Sequence, residues 1–229
     1  MYSMQGIVRK SVSNVTTQFE KLGYVANNLA NMNTKGYKTV TFEQMLNEDG
    51  YLTGAIRTET RQGSIQVTSN PYDVAIDGTG YIPVVSPEGE VAYTRDGAFK
   101  QGKDGYLVTT DDWIVGEGIK IPANCYKFEI KPNGEVYSYD AANTKPKKLG
   151  TIPLVRFASQ ENLEQRGMNK LVATADSGDP MLVRNHNCFC QNNIENSNTN
   201  IYSSTSDMLR LNASLLASTR MMKVVDDMY

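Results

Sequence analysis

Few residues in this 229-residue chain suit catalysis or metal binding: there is one histidine, His186, and there are three cysteines, Cys125, Cys188 and Cys190. So small and odd a cysteine set is no disulfide framework. One histidine in a polar stretch supports no Ser/His/Asp or Cys/His arrangement. His186, Cys188 and Cys190 could begin a metal site, but only Cys125 is left to complete it. On a strand the three would share a face, which suits packing of small thiols, so no metal and no cofactor is expected. Charge excess is missing as well. With 23 basic residues against 25 acidic ones, composition gives no argument for nucleic acid as a partner. No apolar run approaches the roughly 18 residues of a membrane span. Residues 1–10 hold no apolar core of about 7–15 residues, so no cleaved signal peptide is expected, and a cytoplasmic address is the default.

Two partial motifs also fall short. Gly78-x-Gly80 follows a strand signal, but the third glycine and the following helix of a dinucleotide site are missing. Asp96, Asp104, Asp111 and Asp112 lack the spacing of a calcium loop and read as turn carboxylates. Catalysis has no support in the sequence.

What the chain does have is periodicity at both ends. Val8, Val12, Val15, Phe19, Leu22, Ala26 and Leu29 recur at alternating spacings of four and three, one face of an α-helix with the seam of a coiled coil. Such a helix over about residues 2–32 would be roughly 45 Å long, with Arg9, Lys10, Thr17, Glu20 and Lys21 on its polar face. Near the C-terminus Met208, Leu211, Leu215, Met222 and Val225 repeat the pattern, behind N-cap candidates at 203–207. From Tyr72 to about Val183 the signals are almost all β: short alternating runs separated by turns at 86–89, 102–105 and 131–134. The expected fold class is α+β, with the terminal helices pairing as a coiled-coil domain (1–33 and 203–229). Polar, extended connectors follow (34–71 and 185–202), and an antiparallel, barrel- or sandwich-like β block spans 72–184. Within the first connector, 42–46 has the composition of a helical turn.

The helix ends in Ala26-Asn27-Asn28-Leu29-Ala30-Asn31-Met32-Asn33-Thr34-Lys35-Gly36-Tyr37-Lys38. Asn and Gly close helices because they tolerate left-handed backbone. The wording of the segment goes further, and resembles the signature of bacterial flagellar rod and hook proteins in Asn27, Asn28, Leu29, Ala30, Asn31, Asn33, Thr34, Gly36, Tyr37 and Lys38. Further matches follow in order at 63–81, 92–99, 104–109 and 192–199. Asn192, Ile194 and Thr199 depart from the glycine, leucine and valine usual there.

The resemblance implies a structural subunit of the flagellar basal-body rod, not an enzyme, polymerised with copies of itself and other rod proteins into a torque-bearing tube across the periplasm. It implies passage through the flagellar export apparatus, which would replace the cytoplasmic default. The implied assembly interface is Val8, Val12, Val15, Phe19, Leu22, Ala26 and Leu29 with Met208, Leu211, Leu215, Met222 and Val225. One β block and a short span from Lys38 to Gly63 resemble the proximal rod type, with the distal rod or hook type as the alternative. A secreted β-rich adhesin with helical arms would share the helices without needing the Asn-rich motif.

Overall fold

The spacing of the first thirty residues folds as one α-helix, α1 (Met4–Ala30). The computed structural model describes residues 4–48, 51–140, 143–167 and 169–227. α1 ends where the Asn31 side chain turns back and donates to the Asn27 carbonyl at 2.9 Å, a polar side chain taking a helix-end acceptor. The chain is α+β and forms two compact units, residues 1–32, 38–59 and 199–229 in one and 33–37 and 60–198 in the other.

In the helical unit, β1 (Val40–Leu46) and β2 (Leu52–Thr58) pair as an antiparallel hairpin that packs on α1. The stretch 42–46 is therefore strand and not a helical turn: each of its residues pairs across the hairpin, Phe42 with Ile56 and Met45 with Thr53. The Phe42 ring stacks on Tyr24 at 5.5 Å. The second helix, α2 (Ile201–Asp227), packs against α1. It starts at Ile201, ahead of the 203–207 candidates, because the Asn200 side chain accepts from the Tyr202 amide at 3.0 Å and the Ser203 amide at 3.3 Å. Asn caps as well as Ser or Asp.

The β unit holds sixteen short strands among the described residues, almost all antiparallel. β3 (Ile65–Val67) and β4 (Val74–Ile76) pair with strands from its far end. The middle comprises β5 (Ile82–Val85), β6 (Val91–Thr94), β7 (Lys100–Gln101), β8 (Leu107–Val108), β9 (Ile114–Val115), β10 (Cys125–Ile130), β11 (Glu135–Asp140) and β12 (Asn143–Thr151). β13 (Val155–Arg156), β14 (Glu164–Gln165), β15 (Lys170–Val172), β16 (Met181–Leu182), β17 (Phe189–Gln191) and β18 (Asn193–Glu195) complete it. The largest sheet runs β14-β15-β6-β5-β9-β8-β7, and β10-β11-β12 form another. The anticipated turns close with Gly89, Gly105 and Gly134 donating to Ser86, Gly102 and Lys131. Alternating strand residues, among them Val74, Ile82, Val84, Leu107, Val136 and Phe189, fill one buried core.

The first and last strands of this unit meet. β17 lies beside β4 and β18 beside β3, which brings residues 189–195 against 65–76. None of the described helices is long and apolar enough to cross a membrane.

Candidate assembly surface

The inward arc of α1 combines Val25 with polar side chains that serve the strand backbones beneath it. Asn28 Nδ2 donates to the Val40 carbonyl at 2.7 Å, and the Val40 amide donates to Asn28 Oδ1 at 2.9 Å. One amide side chain thus takes the place of a neighbouring strand. At Leu52 the amide donates to Asn14 Oδ1 at 2.9 Å, and Thr17 Oγ1 donates to the carbonyl at 3.3 Å. Buried backbone groups require such partners. Thr17, expected on the solvent side, is accordingly buried.

Since Asn14, Thr17 and Asn28 occupy the inner arc, the apolar seam of α1 is displaced outward. Val12 and Phe19 are 51 % and 58 % exposed. Ala26 is exposed, and Val15, Leu22 and Leu29 are half-buried. On α2 the expected seam faces inward: Leu211 and Leu215 are buried, and Met208 and Met222 half-buried. The side chains of Val8 and Val225 lie outside the described residues. The opposite side of α2 carries a second apolar row that sequence reasoning missed. Tyr202, Leu209, Leu216 and Val224 are 88 %, 68 %, 60 % and 58 % exposed. Its signal was present as a seven-residue repeat at 202, 209 and 216, hidden by the stronger inner seam.

The motif residues divide between the two units. In the helical unit, Asn27 receives the Asn31 amide group, Asn28 holds Val40, Lys38 is buried, and Leu29 and Ala30 are half-buried and exposed. In the β unit, Asn33 is exposed, the Thr34 carbonyl accepts from the Tyr37 amide, and Tyr37 is buried, which raises its hydroxyl pKa. Gly36 has φ +67° and donates its amide to the Glu195 carbonyl at 2.8 Å. A Cβ there would sit 2.6 Å from the Arg95 carbonyl carbon, so only glycine fits.

Glu195 is the centre of this arrangement. Its carboxylate accepts from Arg95 Nε at 2.8 Å and from the Gly63 amide at 2.9 Å. The Arg95 and Glu195 side chains are 4 % and 0 % exposed. Arg95 also donates to the carbonyls of Gly80, Ile76 and Gly78. Four motif segments, at 36, 63, 95 and 195, therefore converge on one buried ion pair. Both charged residues stand inside quoted motifs, but a separation of 100 residues gave no signal of pairing. Asn192, which replaces a family glycine, has φ +56°, a left-handed conformation that asparagine tolerates.

The other candidates act as packing and turn residues. Cys188 Sγ lies 3.6 Å from His186 Nδ1, and burial raises the thiol pKa while lowering that of the imidazole. Both shifts favour the neutral forms. Cys190 sits on β17 opposite Ala75. Among the described residues, no cluster of three or more His, Cys, Asp or Glu side chains is placed to hold a metal ion. Asp112 pairs with Lys100 at 2.9 Å. Burial raises the Asp111 carboxyl, and bonds from Lys170 and Thr109 outweigh it and bring the pKa below its ordinary value.

Residues 16–38, the second half of α1 through Lys38, match the family described as "Flagella basal body rod protein". Residues 75–138 match "Flagellar hook protein FlgE/F/G D1 domain". The chain is 33 % identical to the flagellar basal-body rod protein FlgG of Caulobacter vibrioides over 75 % of each chain. It is 34 % identical to that of Bacillus subtilis over 69 % of each, and 28 % identical to that of Buchnera aphidicola subsp. Baizongia pistaciae over 90 % of each. The Asn-rich helix end, the strand motifs and these relatives agree, and the chain belongs to the flagellar basal-body rod protein family, a family of structural proteins rather than enzymes.

Proposed function

We propose that this chain is a structural subunit that polymerises through its two helices into the axial tube of the flagellar rod. The observation that carries this reading is the outward placement of Val12, Phe19, Tyr202, Leu209 and Leu216 on the two helices. The α1 row 12–19–26 and the α2 row 202–209–216 both repeat every seven residues, the period of knobs-into-holes packing. Helices of neighbouring copies cover these rows, and the two terminal helices form a coiled-coil core domain. Head-to-tail contacts that do not close build a helical filament. The helical unit, 1–32, 38–59 and 199–229, makes that core, and the β unit, 33–37 and 60–198, forms an outer, barrel- or sandwich-like domain that stiffens the tube.

The partners are further copies and other rod proteins, without nucleic acid. The subunit travels through the flagellar export apparatus and needs no cofactor. The rod transmits motor torque across the periplasm. The short span from Lys38 to Gly63 favours a proximal position in the rod. A label at exposed Lys145, imaged in isolated basal bodies, tests that position, and a label found next to the hook would overturn it.

Burying one Phe or Leu stabilises by about 1.5–3 kcal/mol, and a buried unpaired carboxylate adds a desolvation cost at every subunit. Phe19→Asp therefore abolishes rods and motility while the unassembled chain keeps its circular dichroism, and Glu20→Gln leaves swimming intact. Normal rods in cells carrying Phe19→Asp would refute this assembly surface.

A further inference from the structure

The chain passes between its two units at 32/33, 37/38, 59/60 and 198/199. Three stretches of the β unit carry those four crossings: 33–37, the stretch starting at 60, and the stretch ending at 198. The first two are each bonded to the third around Glu195. Its carbonyl takes the Gly36 amide, and its carboxylate takes the Gly63 amide. Next along the chain, Asn196 donates its amide to the Ser64 carbonyl at 2.9 Å and accepts from Lys35 Nζ at 3.0 Å. Asn198 donates its amide to the Tyr37 carbonyl at 3.3 Å and its side chain to the Arg61 carbonyl at 2.9 Å. The Arg95 fork anchors this knot to the 76–80 loop.

We infer that the Arg95–Glu195 pair is a clamp that gathers all four crossings into one buried node, so that load arriving along any of them is shared by the whole β unit. A buried ion pair adds little net stability compared with an apolar replacement, but it fixes geometry and is costly to break. Gly63 alone shows how close the strands lie: a Cβ there would be 2.0 Å from the Asn196 carbonyl oxygen. Independent connectors would not need a shared charge, and here these six hydrogen bonds join residues 195, 196 and 198 to 35–37 and 61–64. The load-bearing part of the inference rests on the rod reading; the clamp itself does not.

Amide exchange on the unassembled full-length chain tests the clamp. Glu195→Gln should speed exchange at Gly36, Gly63, Asn196 and Asn198 together, by about ten- to hundredfold, the loss of one charge-assisted bond. The amides of Leu107 and Val155, bonded within the core to Ile119 and Tyr81, should keep their rates. Acceleration at Gly63 alone would mean separate contacts, and uniform acceleration would mean a stability residue; either overturns the clamp. If Glu195→Gln fails to fold, Lys35→Met/Asn198→Ala, which leaves the ion pair intact, decides by the same pattern at smaller amplitude. In cells, clamp-weakened subunits should still build rods but lose swimming speed in viscous medium. Unchanged speed, with the exchange pattern as expected, removes the load-bearing role and leaves the clamp. An unaltered chain that never enters rods refutes the rod reading instead.

Discussion

The two units differ in what they enclose: the β unit a large apolar cluster, the helical unit several polar side chains along with Val25, Leu211 and Leu215. In the β unit, Val74, Ile82, Leu107 and Phe189 are buried to 2 % exposure or less, and its central charged pair is sealed inside. In the helical unit, Phe19, Tyr202 and Leu209 stand in solvent, while Asn28, Thr17 and Ser204 are buried. A sheet satisfies its backbone by pairing, which frees its inner face for apolar packing. A two-stranded hairpin leaves backbone groups unpaired, and here a helix supplies them from polar side chains. The consequence is a helical unit that leaves Phe19, Tyr202, Leu209 and Leu216 exposed.

Adjacent positions on α2 give the sharpest test of that contrast. Leu215 is 8 % exposed and Leu216 60 %. Leu215→Asp should destabilise the helical unit of the unassembled chain by about 3 kcal/mol or more, from lost burial and an unpaired charge. Leu216→Asp should leave helical content and thermal unfolding unchanged and stop assembly only. Equal loss of helix signal in both would break the distinction between inner and outer rows.

Smaller effects are expected where one backbone device is removed. Asn28→Ala orphans the amide and carbonyl of Val40, and should cost about 2 kcal/mol, visible as lost protection of the β1–β2 hairpin in exchange. Gly36→Ala forces a Cβ into the Arg95 backbone at positive φ, and should cost about 1–3 kcal/mol, read in the β unit's thermal midpoint. A drop confined to the helical unit in the second case would show that the motif's two halves do not serve different units.

The smallest effect concerns pH. A bond from Lys148, with others from Asn133 and Tyr137, lowers the Glu135 carboxyl to about 2. A carboxyl lowered on folding stabilises above its unfolded pKa, near 4.5, and that contribution fades as pH falls toward 2. Lys148→Met should flatten the slope of melting temperature between pH 5 and 2 slightly, as befits a surface pair. An identical slope would place the acid response elsewhere.

Much of this was written locally in the sequence. The spacing of Val12, Phe19 and Ala26 determines a helix and its apolar face, because 3.6-residue periodicity involves only near neighbours. Ser86-Pro87-Glu88-Gly89 determines a turn through the backbone preferences of Pro and Gly. The motif at Asn27–Lys38 was legible as a unit, though not what each residue does. Only the tertiary structure decided that Asn28 stands in for a strand beside Val40, and that Phe19 faces out while Leu215 faces in. It also decided that Arg95 meets Glu195 across 100 residues. Those outcomes depend on which distant backbone groups lack partners and which charges are sealed from water together. Neither is a property of any local stretch, so no reading of spacing or composition contains them.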